Sequence, residues 1–151
     1  MVARSRPFHL LIADDDPAMR ETLVEMLRPE FDTIDVESGE EAIEVVQRVE
    51  VHLALLDVHM PLVTGIDALR EVKRRRIELP CILMSANWTE RLRLEAIASD
   101  VAAVLQKPMT RRELVTTVTT ALDAAYQDLW IPSETSSLAD ETQDDAEVDE
   151  D

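Results

Sequence analysis

Five short apolar runs alternate with stretches of helical periodicity between residues 8 and 127, and this alternation restricts the fold more than any other feature of the chain. Several of the runs are continuously hydrophobic, which is typical of strands buried on both faces of a parallel sheet. The runs are Phe8–Ala13, Thr33–Val36, Val51–Leu56, Pro80–Met84 and Val101–Leu105. Because strands in strict alternation with helices require right-handed β-α-β connections, the pattern predicts a doubly wound α/β sheet.

The intervening stretches predict five helices of unequal clarity. The first begins at Pro17, a residue suited to the first helical position because it lacks an N–H group. The fourth helix, near Trp88–Ala98, has the weakest pattern, since Leu92, Leu94 and Ile97 form only a ragged apolar stripe.

Charge is unevenly distributed along the chain and limits the classes of partner. The net charge is −17, and residues 133–151 hold nine acids and no base, so residues 1–132 carry −8. An acidic body argues against direct binding to nucleic acid, which requires a positive surface. The basic run Lys73–Arg76 is interpreted as a solvated helix end, where cations complement the helix dipole.

Domain organisation follows from the same patterns. The 151 residues suffice for one domain. We expect a short N-terminal extension (residues 1–7), one domain (residues 8–127) and an acidic, disordered tail (residues 128–151). Leu129, Trp130 and Ile131 either pack on the domain or mark the point where a further domain was removed.

The lone cysteine and the absence of a long apolar segment indicate the compartment. Cys81 has no partner for an internal disulfide, and its place in an apolar run predicts an inert core thiol. No signal peptide or membrane span is recognisable, so we expect a cytoplasmic protein without membrane contact.

Polar residues follow four of the predicted strands where each strand ends. Asp14 and Asp15 follow the first, Asp57 ends the third, Ser85 the fourth, and Lys107 the fifth. Because parallel strands end at one edge of a sheet, and the functional crevice of such folds lies there, these residues should converge.

The convergent residue types favour phosphoryl chemistry. Clustered carboxylates repel one another unless a hard cation with oxygen ligands, such as Mg²⁺, is bound. A carboxylate can then attack phosphorus to give an acyl phosphate, with Lys107 stabilising the transferring oxygens and Ser85 donating a hydrogen bond. Asp16 directly precedes Pro17 and is predicted to cap the first helix instead.

Four motifs in order resemble the receiver domains of two-component response regulators. They are Leu10-Leu-Ile-Ala-Asp-Asp-Asp-Pro17, Leu55-Leu-Asp-Val-His-Met-Pro61 with Gly65, Met84-Ser-Ala86, and Gln106-Lys-Pro108. The resemblance covers about residues 7 to 126. It implies a flavodoxin-like (βα)5 sandwich with a five-stranded parallel sheet in the order 2-1-3-4-5, and a cis peptide at Lys107-Pro108.

The resemblance also implies a role for each site residue. Asp57 would be the phosphoacceptor, with Ser85 and Lys107 contacting the phosphoryl group. Mg²⁺ would be bound directly by Asp15 and Asp57, by Asp14 through water, and by the backbone carbonyl of His59, whose side chain is expected to take no part.

Signalling partners are implied in the same way. The donor would be a sensor histidine kinase or a histidine phosphotransfer protein that docks near Met19 and Met109. The phosphorylated receiver would act on a separate downstream protein or on an output domain missing from this chain. Formation of a homodimer is a further alternative.

The chain departs from the family pattern where phosphorylation is usually read out. Three residues before the lysine, where the family usually carries Tyr or Phe, stands Val104. We hypothesise that readout uses the fourth helix, with Trp88 as its reporter.

Two other functions are weighed. A phosphatase of the haloacid dehalogenase type also uses an aspartyl nucleophile, but it carries an acid two residues further on, where this chain has His59. A degenerate receiver would serve as a constitutive interaction module, although such modules usually lose the acidic pair or the acceptor. The chain is therefore predicted to be a phosphorylated switch and not an enzyme.

Overall fold

All five predicted strands and five predicted helices are present in the computed structural model, which describes residues 8–127. The expected N-terminal extension and acidic tail, including Leu129, Trp130 and Ile131, lie outside the described residues. The elements in chain order are β1 (His9–Ala13), α1 (Pro17–Leu27), β2 (Asp32–Val36), α2 (Gly39–Arg48), β3 (Leu53–Asp57), α3 (Gly65–Arg75), β4 (Cys81–Ser85), α4 (Glu90–Ala98), β5 (Ala103–Gln106) and α5 (Arg111–Tyr126).

The strands form one parallel sheet in the order β2-β1-β3-β4-β5, which confirms the predicted topology. β3 lies in the centre, between β1 and β4. Every residue of β3 and of β4 is buried, because helices cover both faces of the sheet. The carboxyl ends of β3 and β4 are therefore held in register, with Asp57 paired to Met84.

Helix starts follow the capping residues closely. The Asp16 side chain accepts a hydrogen bond from the N–H of Ala18 at 3.0 Å, and Pro17 opens α1, as predicted. Thr64 caps α3 in a reciprocal capping box with Asp67. Thr89 caps α4, so that helix begins at Glu90, and Trp88 lies in the loop before it and not on the helix.

The apolar stripe predicted for α4 is wrong. Leu94 and Ile97 are 58% and 67% exposed, and Ala96 is the one fully buried residue of this helix. Leu92 is partly buried against the core. α4 is thus attached to the sheet by a narrow face, in contrast to α3, which buries five residues.

The remaining predictions for the domain concern single side chains. Burial raises the pKa of the Cys81 thiol to about 12, which fits an inert core residue. Arg74 and Arg75 at the end of α3 pair with Glu71 on the surface, but Lys73 is largely buried and reaches the carbonyl of Ile77 at 3.1 Å. Between residues 8 and 127, no helix is both long enough and apolar enough to cross a membrane.

Candidate functional site

The predicted acidic cluster assembles at the carboxyl edge of the sheet. Asp14, Asp15 and Asp57 each place one carboxylate oxygen within 4.8 Å of the others. Asp14 and Asp57 are buried, while Asp15 is exposed. Mg²⁺ holds its oxygen ligands about 2.0–2.1 Å away and thus at most about 4.2 Å from one another, so small shifts suffice for these carboxylates to share one ion.

Asp14 is held by neighbours on three sides. Its Oδ1 accepts the N–H of Asp16 at 2.9 Å, and its Oδ2 accepts from Lys107 Nζ at 2.7 Å. Its backbone carbonyl accepts from Arg20 Nη1 at 2.8 Å. Both carboxylate oxygens of Asp14 are therefore hydrogen bonded within the protein.

Lys107 bridges the two buried aspartates. Its ammonium group lies 3.1 Å from Asp57 Oδ1 as well as 2.7 Å from Asp14 Oδ2. Burial alone would lower the pKa of Lys107, but its hydrogen bond to Asp14 and the charge of Asp57 outweigh that effect, so the pKa is raised. Lys107 therefore stays charged beside Asp57 Oδ1. The Lys107-Pro108 peptide bond is cis, as the resemblance implied.

Asp57 occupies an environment that opposes its own ionisation. Burial raises its pKa, Lys107 acts in the opposite direction, and the negative charge of Asp14 raises it again. The net direction is upward. A divalent cation at this cluster would reverse the balance by stabilising the ionised, nucleophilic carboxylate.

Gly65 lets the first turn of α3 approach the end of β3. A Cβ atom at this position would lie 2.3 Å from the carbonyl oxygen of Asp57 and 2.9 Å from the Cα of Val58. The N–H of Gly65 donates to the carbonyl of Val58 at 3.0 Å. Any larger residue would push α3 away from the end of β3.

Ser85 lies at the end of β4, fully buried, and here one prediction is wrong. His59 was expected to contribute only its backbone, yet its ring Nε2 lies 3.0 Å from Ser85 Oγ. The same Oγ accepts the N–H of Asn87 at 2.9 Å. The motif places His59 two residues after Asp57, but only the register of β3 with β4 brings its ring to Ser85.

Trp88 connects the loop after β4 to the edge strand. Its indole Nε1–H donates to the carbonyl of Leu105 at 2.9 Å, and Arg93 lies 5.7 Å from the ring centre. Both Trp88 and Val104 are partly buried against the core. The β4–α4 loop thus places an aromatic side chain against β5, while β5 itself carries Val104.

The structure brings together all the residues that the sequence marked for chemistry. Two carboxylates and a lysine are in direct contact, a third carboxylate lies beside them, and a serine hydroxyl ends the adjacent strand. Such a set can bind a hard cation, offer a carboxylate as nucleophile and stabilise negative charge on oxygens transferred to it.

Comparison with protein families gives a match over most of the described chain. The model of the response regulator receiver domain matches residues 10–119. Response regulator SaeR of Staphylococcus aureus is 30% identical over 112 residues, which cover 71% of this chain and 47% of that protein. The chain therefore spans about half the length of the curated relatives it matches.

Solved structures with the same fold include receiver domains. A CheY-like receiver domain from Methanospirillum hungatei superposes with a TM-score of 0.77 at 20% identity, covering 81% of this chain and 98% of that one. At that identity the likeness concerns the fold alone. A sensor protein from Polaromonas sp. JS666 is 30% identical with a TM-score of 0.72, covering 80% of this chain and 98% of that one.

Proposed function

The chain belongs to the family of response regulator receiver domains, and we propose on that basis that Asp57 is its phosphoacceptor. The observation that carries this assignment is the contact of Asp57 with Lys107 at 3.1 Å, beside Asp14 and Asp15. We propose that a sensor histidine kinase or a histidine phosphotransfer protein donates the phosphoryl group.

The transfer is a displacement at phosphorus. A carboxylate oxygen of Asp57 forms the new P–O bond, while the P–N bond to the donor's imidazole breaks and the imidazole keeps the electron pair. Lys107 stays positioned by Asp14 and neutralises charge on the transferring oxygens. The Ser85 hydroxyl donates a hydrogen bond to a phosphoryl oxygen once the phosphoryl group is bound to Asp57.

Mg²⁺ fits the acidic cluster, where it would neutralise charge on the acceptor and on the incoming phosphoryl group. We assign direct ligation to Asp15, Asp57 and the backbone carbonyl of His59. Asp14 would act through water, which agrees with the engagement of both its oxygens by Asp16 and Lys107.

The protein is proposed to act as a switch and not as an enzyme with an external substrate. The residue two positions after Asp57 is His59, and its ring is hydrogen bonded to Ser85. It therefore does not supply the acid that a haloacid dehalogenase phosphatase carries at that position. Because the receiver region accounts for about half of the matched relatives, an output domain or a separate protein would read the switch. The lone Cys81 supports a reducing compartment.

Phosphorylation is tested by intact-protein mass measurement after incubation with a small phosphodonor. Wild type should gain one phosphoryl group in the presence of Mg²⁺. It should gain none after chelation of the metal, and neither should Asp57→Asn. An adduct of equal yield on Asp57→Asn would assign the acceptor to another residue. A wild type that stays unmodified by small donors and by a panel of histidine kinases would favour a constitutive interaction module.

Readout is proposed to pass through Trp88. The β4–α4 loop runs from Ser85 to Trp88, so movement of Ser85 toward a phosphoryl group would strain the bond from the indole to Leu105. We expect beryllofluoride with Mg²⁺ to change Trp88 fluorescence. Trp130→Phe removes the other tryptophan and leaves Trp88 as the sole reporter. An unchanged spectrum under conditions where beryllofluoride binds would exclude Trp88 as the reporter.

A further inference from the structure

The hydroxyl of Ser85 is committed to neighbours other than the acceptor. Ser85 is fully buried, and its Oγ contacts the N–H of Asn87 at 2.9 Å and Nε2 of His59 at 3.0 Å. Within residues 8–127 it makes no hydrogen bond to Asp57, which is instead hydrogen bonded to Lys107. The hydroxyl assigned to the phosphoryl group is thus engaged before that group arrives.

Counting protons assigns the direction of the His59–Ser85 hydrogen bond. A serine hydroxyl has one proton and two lone pairs, and the Asn87 N–H occupies one lone pair. The hydroxyl proton then needs an acceptor, because a buried donor without one is costly. Among the described residues, the acceptor within reach is His59 Nε2. Ser85 therefore donates to Nε2 of His59, which accepts the hydrogen bond as an unprotonated ring nitrogen.

We propose that His59 is a positioning residue that holds the Ser85 proton away from the phosphoryl site and so opposes phosphorylation. This inference rests on the proposed role of Asp57. The single hydroxyl proton can be given to His59 or to a phosphoryl oxygen, but not to both. Phosphorylation must break the His59–Ser85 hydrogen bond, and the free energy of that bond sets part of the threshold of the switch.

The test is the affinity of beryllofluoride, a phosphoryl analogue, measured at saturating Mg²⁺. His59→Leu removes the acceptor but keeps an exposed side chain of similar size and leaves the backbone carbonyl in place. It should bind beryllofluoride about two- to tenfold more tightly than wild type, the range expected for one neutral hydrogen bond. His59→Gln, whose amide oxygen can accept the Ser85 proton, should return the affinity toward that of wild type.

The same comparison in a Ser85→Ala background shows whether the effect passes through Ser85. There, His59→Leu should change the affinity no further, since no hydroxyl proton remains to be released. An equal gain in that background would overturn the proposal, because it would show that His59 acts on the ligand or on access to it. In the protein that keeps Ser85, unchanged or weaker binding by His59→Leu would overturn the proposal as well.

A measurement on the unphosphorylated protein separates this inference from the proposed function. Two-bond proton–nitrogen correlations of the imidazole, recorded at about pH 8 where an ordinary imidazole is neutral, report which nitrogen carries the proton. Nε2 should be unprotonated and should shift on Ser85→Ala. A proton on Nε2 would overturn the assigned hydrogen bond whether or not Asp57 is phosphorylated. Wild type that does not bind beryllofluoride would instead refute the role of Asp57, and the threshold role of His59 with it.

Discussion

The centre of the sheet and the fourth helix are built in opposite ways. β3 and β4, which carry Asp57 and Ser85 at their ends, are buried at every residue. α4 fully buries only Ala96 and exposes Leu94 and Ile97. The proposed acceptor, Asp57, therefore ends a strand in the most completely buried part of the sheet. The helix that follows Ser85 has a narrow buried face and is therefore the more easily displaced of the two regions.

This contrast agrees with the different task proposed for each region. A site that binds a cation and positions a nucleophile needs its groups held by close packing, as around Asp57. An element that reports a change of charge needs two arrangements of similar free energy. α4 is sparsely buried, and Trp88 in the loop before it is hydrogen bonded to Leu105 of β5, which agrees with the readout proposed for this region.

The largest expected effect is a difference between the two regions in how much free energy of unfolding a truncated side chain removes. Leu83→Ala in β4 should lower the free energy of unfolding by about 2–5 kcal/mol, because the side chain is fully buried and its removal leaves a cavity. Leu94→Ala on α4 is the matched control, with an expected change within about 0.5 kcal/mol. Chemical denaturation measures both. Similar losses in the two variants would abolish the contrast.

Gly65→Ala tests how closely α3 is packed against the end of β3. The new Cβ would overlap the Asp57 carbonyl, so we expect a loss of about 1–3 kcal/mol in the free energy of unfolding, together with weaker Mg²⁺ binding. Denaturation and metal titration are the two measurements. Unchanged stability and metal affinity would show that the end of β3 is less rigid than its burial indicates.

Asp57→Asn tests how much the buried negative charge of Asp57 lowers the stability of the metal-free fold. Since burial raises the pKa of Asp57, its ionised form destabilises the metal-free fold above that pKa. Asp57→Asn should therefore melt above metal-free wild type at neutral pH, and the difference should shrink as the pH falls and Asp57 becomes protonated. A gap that widens toward acidic pH would show that Lys107 outweighs burial.

Mg²⁺ should reverse the order of the two proteins. At ten times its dissociation constant, the ion would stabilise wild type by about 1.4 kcal/mol, and Asp57→Asn much less because a ligand is lost. Thermal melts with and without Mg²⁺ measure the effect. Equal stabilisation of both proteins would place the ion elsewhere.

Much of the site was predictable because strand ends in a parallel sheet converge. Once the apolar runs were assigned to strands, Asp14, Asp57, Ser85 and Lys107 had to lie on one edge, and the structure places them there. The capping role of Asp16 was predictable for a local reason, its place before Pro17. These inferences required only the chain direction of each element and the chemistry of neighbouring residues.

Other features depended on contacts between elements and were missed. The ring of His59 was not expected to take part, because its distance to Ser85 depends on the register of β3 with β4 and on the loop that follows each strand. The exposure of Leu94 and Ile97 was missed as well, since periodicity shows which residues share a face but not whether that face meets the sheet.

The sequence by itself determined the alternation of strands and helices, the acids and the lysine at the strand ends, and the chemistry they can perform, because these depend on residue type and order. Only the tertiary structure decided which hydrogen bonds those groups make before phosphorylation. Lys107 bridges Asp14 and Asp57, His59 holds Ser85, and Trp88 bonds to Leu105. Each pair lies at least 17 residues apart in the chain, and side chains so distant meet only when the packed sheet brings their strands and loops together.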